Sequence, residues 1–177
     1  GIVKMQIETE RLLLRPITME DAGDIFEYSK NPHVGSNAGW KPHGNIEETI
    51  EIMKMIFINQ DGIFGIILKS NKKLIGIVGV MLDPKRQNHK AYMLGYSLAE
   101  PYWGQGIMTE AVMETIKYGF SQMDLDLISA YCYPENERSK RILKKCGFKY
   151  EGCLSQCEEL YNGRVLDNEC YALLNKK

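Results

Sequence analysis

Residues 93–111 read MLGYSLAEPYWGQGIMTEA, and this stretch decides the fold prediction because a strand, a glycine turn and a helix follow one another in it. The strand portion is rich in aromatic and aliphatic side chains, and Gly95 within it favours a bulge or a close backbone approach. Pro101 ends the strand. Gly104 and Gly106 then permit a turn, here called the glycine turn, in which successive backbone N–H groups point into one concavity.

The chain after the glycine turn has the pattern of an amphipathic helix. Its apolar residues recur at helical spacing, namely Ile107, Ala111, Val112, Ile116 and Phe120. The free N–H groups of the first helical turn and the positive end of the helix dipole favour a phosphate or pyrophosphate group. The stretch therefore predicts an anion-binding turn, and the alternative is a glycine turn that only caps an ordinary helix.

Two familiar phosphate-binding motifs do not fit this turn. A P-loop requires Gly-Lys followed by Ser or Thr, whereas Gly106 is followed by Ile107 and Met108. A dinucleotide-binding fingerprint requires a third glycine where Thr109 stands, and the preceding chain does not begin a βαβ unit.

A third motif is similar. Residues 103–108, WGQGIM, resemble the Gln/Arg-x-x-Gly-x-Gly/Ala loop with which GNAT acetyltransferases hold the pyrophosphate of coenzyme A. Trp103 and Met108 depart from the general pattern, yet Trp-Gly is similar to one branch, the ribosomal-protein-serine/alanine N-terminal acetyltransferases. The likeness to that branch extends from about residue 7 to residue 173. It implies cofactor contacts for Leu98, Ala99, Gly104, Gln105, Gly106, Ile107, Met108 and Thr109.

The composition sets limits on location and partners. The 177 residues, 44% of them hydrophobic, are expected to form one domain, residues 1–177. A net charge of -1 argues against direct nucleic-acid binding and against a membrane-surface protein. Residues 1–15 lack the apolar run of a signal peptide or membrane helix, which predicts a cytoplasmic protein. Gly1, ahead of Met5, is interpreted as a remnant of a cleaved expression tag.

The cysteines and the remaining patterns complete the prediction. The five cysteines are odd in number and lack metal-ligand spacing, so reduced thiols and no metal are expected. With the resemblance, the patterns predict an α/β (α+β) fold whose mixed, mostly antiparallel, GNAT-like central sheet is flanked by helices. Strands are predicted at residues 6–15, 63–68, 74–82, 90–98, 127–133, 148–153 and 165–174, and helices after Thr18, from Asn45 to Asp61, from Ile107 and from Asn136 to Lys145.

Residues 31–44 are predicted to form an irregular loop because prolines and glycines are frequent there. Trp40 in this loop either lines a substrate cleft or covers the core beneath it. His33 and His43 are expected to have ordinary structural roles.

A second motif lies at residues 136–148, NERSKRILKKCGF, which resemble the Asn-x-x-Ser-x-x-x-Leu-x-x-x-Gly-Phe segment of the same branch. Asn136 offers a donor and an acceptor to the amides of a pantetheine arm, and Ser139 can donate a hydrogen bond to a departing sulfur. Helix capping is the alternative for both. The basic residues of this helix suit phosphates if they lie nearby, and a solvated helix face is their alternative; they are Arg138, Lys140, Arg141, Lys144 and Lys145.

The resemblance implies transfer of an acetyl group from acetyl-coenzyme A to a primary amine by direct attack in a ternary complex. A catalytic base deprotonates a protein N-terminal α-amine more easily than a lysine side chain, since the α-amine pKa of about 7.7–8.0 lies about 2.5 units below that of lysine. The implied base is Glu158, because Gln156-Cys157-Glu158 resembles the Gln-Ala-Glu segment of the branch. One additional residue before Asn162 leaves Glu159 open, and Glu110 is a rival that the helix dipole also explains.

Other functions remain open at this stage. The acceptor can be a small-molecule amine such as a polyamine, an amino acid or a drug, and a non-catalytic coenzyme A-binding module is an alternative of another class. The resemblance also implies a backbone N–H near Leu98 that polarises the acetyl carbonyl. Homodimers occur in the branch, so a homodimer is among the expectations.

Overall fold

The fold is known from a computed structural model that describes residues 5–177, so the interpretation of Gly1 lies outside the described residues. One eight-stranded sheet in the order β1-β2-β3-β4-β5-β6-β8-β7 forms the centre. Its strands are β1 (Ile7–Glu8), β2 (Leu12–Arg15), β3 (Ile63–Leu68), β4 (Leu74–Leu82), β5 (Ala91–Leu98), β6 (Leu127–Cys132), β7 (Lys149–Glu159) and β8 (Val165–Leu174). The helices are α1 (Ala22–Ser29), α2 (Pro32–Ala38), α3 (Ile46–Ile52), α4 (Ile107–Ser121) and α5 (Glu137–Lys145).

The sheet separates two apolar cores. One core lies under α4 and α5 and contains Ala111, Val112 and Leu143. The other lies under α1 and under the helical turn Met53–Phe57 that follows α3. Ile25 and Met53 in this core are almost fully buried. The predicted mixed and mostly antiparallel sheet with helices on its faces is confirmed.

The N-terminal region differs in detail from the prediction. The expected strand over residues 6–15 is a hairpin of two short antiparallel strands, β1 and β2. Thr18 forms the expected N-terminal cap, since its backbone N–H donates to Asp21 Oδ2 at 2.8 Å in a capping box. A single 3-10 turn, Met19–Asp21, precedes α1, which ends before Pro32 as expected.

The prediction of an irregular loop over residues 31–44 is wrong for its first half, which forms α2. Asn31 caps this helix by accepting a hydrogen bond from the His33 N–H at 2.9 Å, and Pro32 occupies the first helical position. Gly39 ends it in the left-handed conformation, with φ of 83°. These signals determine the helix even though it is too short to show a hydrophobic period.

The antiparallel meander of β3, β4 and β5 is confirmed. The bulge expected in β5 is not there, because its register with β4 is unbroken from Gly76 opposite Leu98 to Leu82 opposite Tyr92. β5 instead pairs with β6 in parallel, and only from Ala91 to Met93. Beyond these three residue pairs the two strands separate and leave a wedge-shaped cleft in the sheet.

The C-terminal strands form a hairpin whose first strand is longer than predicted. β7 reaches Glu159, and its register against β8 shifts between Leu154 and Glu158. Gln156 has a positive φ of 46° within this bulge, and its N–H donates to Asp167 Oδ1 at 2.8 Å. The expected Asn162-Gly163 turn is present, with Gly163 at φ of 85°. The bulge carries Glu158 to the side of the hairpin where Asn168 lies.

The five cysteines are unpaired, as predicted. Burial raises the pKa of the Cys132 and Cys146 thiols to about 11, so both are protonated at neutral pH. In the part of the chain that the structure describes, the helices are too short or too polar to cross a bilayer.

Candidate active site

The separation of β5 and β6 opens a cavity of about 730 Å³ that extends from the glycine turn to α2. A volume of this order is typical of ligand sites. Most of the residues assigned to a site from sequence line it: Trp40, Leu98, Gly104, Gly106, Ile107, Met108, Thr109, Asn136, Ser139 and Glu158. Ala99 and Gln105 do not, since the Ala99 N–H donates to Ile75 O at 2.8 Å and the Gln105 side chain bonds Pro101 O at 3.1 Å.

The glycine turn has the open geometry that an anion requires. Gly104 and Gly106 have φ of 74° and 76°, and Gly106 is the residue at which α4 begins. A Cβ at Gly104 would meet no atom within 4 Å, and at Gly106 it would approach only Arg11, at 3.6 Å. The space beside the two glycines is therefore open, and the first N–H groups of α4, which lack helical partners, lie next to it.

Arg11 and Glu110 fix the glycine turn from outside. Arg11 donates from Nη1 to Gln105 O at 2.8 Å and from Nε to Glu110 Oε1 at 2.8 Å. Glu110 Oε2 also accepts from Thr9 Oγ1 at 2.5 Å and from the Arg11 N–H at 3.0 Å. Burial acts to raise the pKa of Glu110, but these hydrogen bonds outweigh it and hold the pKa below its usual value. Glu110 thus has a complete structural role.

We expect Glu110→Gln to lower the free energy of unfolding by about 1.5–3 kcal/mol at pH 7, the range for hydrogen bonds to charged groups. A lowered pKa stabilises the fold above the unfolded value of about 4.3, and this contribution is lost as the pH falls through the folded pKa. The difference from the wild type should therefore be smaller at pH 4 than at pH 7 in denaturant titrations. Glu114→Gln, on the same helix and paired only with the exposed Lys117, is the control and should have little effect at either pH.

α5 presents Asn136 and Ser139 to the cleft. Asn136 caps the helix, because its Oδ1 accepts from the Ser139 N–H at 3.1 Å, and its Nδ2 reaches Asn37 O of α2 at 3.4 Å. The Ser139 hydroxyl is hydrogen-bonded to the Tyr96 hydroxyl of β5 across the cleft. Burial raises the pKa of Tyr96, which keeps this phenol neutral. Two neutral hydroxyls are thus linked where β5 and α5 face each other.

Glu158 is held by two donors. Tyr133 Oη donates to Glu158 Oε2 at 2.7 Å, and Asn168 Nδ2 donates to Oε1 at 3.3 Å. Burial and the adjacent carboxylate raise the pKa of Tyr133, so it remains a donor. Gly39, at the end of α2, contacts both side chains, and a Cβ there would lie 2.0 Å from Tyr133 Oη. Glu159 is exposed.

The cleft is bordered by basic and aromatic side chains. The Arg138 guanidinium stacks on the Trp103 ring at 3.6 Å, and burial lowers its pKa. Arg141 and Lys145 also line the cavity, whereas Lys140 is paired with Glu169 at 3.0 Å. Only part of the basic face of α5 is therefore turned toward the cleft.

The register of β5 turns the Leu98 N–H toward the cleft. The neighbouring Ala99 N–H bonds β4, and backbone groups alternate in direction along a strand. The Leu98 carbonyl, on the same side as its N–H, accepts from Trp103 Nε1 at 2.8 Å. A donor at this place therefore does not need the bulge expected from the sequence.

Sequence patterns did not reveal Tyr96, Tyr133, Asn168 or Arg11 as parts of the site. Each reaches it through a contact distant in sequence, such as the 43 positions between Tyr96 and Ser139. The sequence carries no local signal for any of the four. His33 Nδ1 lies 3.1 Å from Glu100 Oε1, and His43 Nδ1 lies 2.7 Å from Thr49 Oγ1.

The cleft lies between splayed parallel strands and is bordered by the glycine turn. Comparison with known proteins shows the class, an acyl-coenzyme A-dependent N-acetyltransferase. The family model described as an acetyltransferase (GNAT) domain matches residues 11–149, and the chain belongs to the GNAT family.

Similar proteins agree with this assignment. The chain is 33% identical to an uncharacterized N-acetyltransferase, YoaA, of Bacillus subtilis, over 97% of each chain. A GNAT-family acetyltransferase structure from Bacillus anthracis superposes with a TM-score of 0.85 at 29% identity, covering 98% of this chain and 100% of that one. A ribosomal-protein-S5-alanine acetyltransferase structure from Vibrio fischeri has a TM-score of 0.78 at 27% identity, covering 98% of both.

Proposed function

We propose that this GNAT enzyme transfers the acetyl group of acetyl-coenzyme A to a protein N-terminal α-amine by direct attack in a ternary complex. The observation that carries the proposal is that Glu158 of β7 and Ser139 of α5 line the same cleft. A carboxylate and a hydroxyl are the two groups that amine deprotonation and thiolate departure require.

The cleft fits acetyl-coenzyme A, which supplies an activated acetyl thioester when bound. The open space beside Gly104 and Gly106 suits the pyrophosphate, and Arg138, Arg141 and Lys145 add positive charge along the same cavity. Asn136 lies where it can bond the amides of the pantetheine arm. No metal takes part in the proposal.

The residues of this chain divide the reaction between them. Glu158 accepts the proton that the ammonium group loses, while Tyr133 and Asn168 hold the carboxylate in place. The Leu98 N–H polarises the acetyl oxygen as the nitrogen–carbon bond forms. Ser139 donates a hydrogen bond to the sulfur as the carbon–sulfur bond breaks, the departing thiolate takes up the second proton of the attacking amine, and Tyr96 orients the Ser139 hydroxyl.

Glu158 is preferred to its two rivals for reasons of geometry. Glu110 is engaged with Arg11 and Thr9 behind the glycine turn. Glu159 is exposed and is not among the residues that line the cleft. Of the three carboxylates, Glu158 alone faces the cavity that also contains Ser139.

The proposal is tested by incubating the protein with acetyl-coenzyme A and a panel of N-terminal peptides, lysine peptides, polyamines and aminoglycosides, following thiol release and product mass. We expect acetylation of peptide α-amines. Acetylation of polyamines or drugs alone would replace the proposed acceptor with a small molecule. Coenzyme A binding by calorimetry without release above hydrolysis would favour a binding module.

A further inference from the structure

A second cavity, of about 710 Å³, opens on the opposite side of β5 from α4 and α5. It lies between α1, α3 and the chain after α2. Five side chains belong to the walls of both cavities, Trp40, Ile56, Phe57, Ile77 and Ser97. The second cavity therefore adjoins the cleft where Glu158 and Ser139 lie, and these five side chains form the boundary between the two. Trp40 lines both cavities and also packs against the apolar core that contains Ile25 and Met53.

The wall of the second cavity is mostly carbon. Ile25, Ile52, Ile56, Phe57 and Ile77 contribute to it. Three polar side chains of this wall are hydrogen-bonded within the protein: the Tyr28 and Ser97 hydroxyls are 3.0 Å apart, and His43 Nδ1 lies 2.7 Å from Thr49 Oγ1. Burial raises the pKa of Tyr28 and lowers that of His43, so both are neutral. A wall of this kind recognises apolar groups rather than hydrogen-bonding ones.

A π-helical turn, Met53–Phe57, brings two of these apolar side chains to the cavity. The Ile58 N–H bonds Met53 O at 2.8 Å, five residues back, which widens the turn. The consecutive residues Ile56 and Phe57 both line the two cavities as a result, although Ile56 remains 42% exposed. Such turns are frequent at functional sites, and an exposed isoleucine here has no role in the core.

The mouth of the cavity is acidic. Glu47 and Glu51 stand one helical turn apart on α3, both exposed, and Lys41 is the single basic residue of the lining. A cationic amine is attracted toward such a mouth.

We propose that the second cavity binds a bulky aliphatic or aromatic group that the acceptor carries next to its reactive amine. The inference rests on the proposed function and narrows it: the enzyme selects amines with an apolar neighbour over small, acidic or purely cationic ones. In a peptide acceptor this group is the side chain of the first or second residue.

The test compares short peptides that differ only in their first two residues: Ala-Ala, Leu-Ala, Phe-Ala, Ala-Leu and Ala-Phe. At least one bulky peptide should exceed Ala-Ala about tenfold or more in kcat/KM, the usual worth of filling an apolar pocket. Ile56→Trp, which fills the cavity, should lower this ratio toward one. Met55→Trp is the matched control, because Met55 is 73% exposed and lines neither cavity, and it should keep the ratio. Equal rates for all five peptides, or equal effects of the two tryptophans, would overturn the proposal.

Small amines used as acceptors test the apolar cavity independently of whether the natural acceptor is a protein N-terminus. If no peptide is acetylated, the N-terminal acceptor fails, and the cavity is tested with 2-phenylethylamine against ethylamine and spermidine. A preference for 2-phenylethylamine supports the apolar site, and a preference for either of the others contradicts it. If no amine is acetylated, calorimetry with 2-phenylethylamine decides: binding that Ile56→Trp abolishes supports the site, and no binding, or equal binding by both proteins, refutes it.

Discussion

Replacing Glu158 by glutamine is expected to lower kcat by about 10²–10⁴-fold, the usual contribution of a general base, with little change in coenzyme A affinity. Glutamine keeps the shape of the side chain and can still bond Tyr133 and Asn168, so the fold should be unaffected. The defect should shrink as the pH rises through the pKa of the acceptor amine, about 8 for an α-amine, because less amine then needs deprotonation. Steady-state kinetics between pH 6.5 and 9.5 would measure it.

The neighbouring glutamate provides the control for this prediction. Glu159→Gln removes the same charge one residue further along β7, where the side chain is exposed, and should leave kcat within about twofold of the wild type. If Glu159→Gln is instead the inactive variant, the base has been assigned to the wrong carboxylate. Wild-type activity in both variants would exclude β7 as the source of the base.

Replacing Ser139 by alanine is expected to lower kcat by about 10–100-fold, since the departing thiolate loses its hydrogen bond but is only moderately basic, with a thiol pKa of about 8.5. Alanine preserves the helix, because the capping bond uses the Ser139 N–H. Coenzyme A affinity, measured by calorimetry, should remain within about threefold. Ser121→Ala, an exposed serine at the end of α4, is the control for loss of a hydroxyl.

A variant of Tyr96 provides a further test of the role of Ser139. Tyr96→Phe should also reduce kcat, and the double variant should be no slower than Ser139→Ala alone, because Tyr96 acts through Ser139. Additive losses in the double variant would show that the tyrosine acts independently of the serine.

Local signals made much of the fold predictable from sequence. The side chains of Asn45 and Asn136 cap their helices as their residue type indicates, and the strands of the meander follow their apolar runs. Short elements without a period were missed: α2 has caps at Asn31 and Gly39, but its seven residues are too few to show amphipathicity. The bulge predicted in β5 is absent, because Gly95 pairs with Gly79 of β4 in an unbroken register.

The site was predictable only where a motif is contiguous in sequence. The glycine turn and the segment from Asn136 to Ser139 are of this kind, and both line the cleft. The residues that support Glu158 are not contiguous with it in sequence. Tyr133 contacts Glu158 from 25 positions earlier in the chain, and Asn168 of β8 contacts it across the β7–β8 hairpin. The second cavity depends on a π turn, for which the sequence Met53–Phe57 contains no local marker.

The three residue pairs that join β5 to β6 make the sheet nearly two sheets. Strands on both sides of this junction share the apolar core that contains Ala111 and Val112 of α4, and a molecule lying in the cleft would occupy the space where β5 and β6 no longer pair. Its binding free energy is added to that of folding, by about 2.7 kcal/mol at a concentration one hundred times its Kd. We therefore expect a ligand bound in the cleft to protect the junction between β5 and β6 against unfolding.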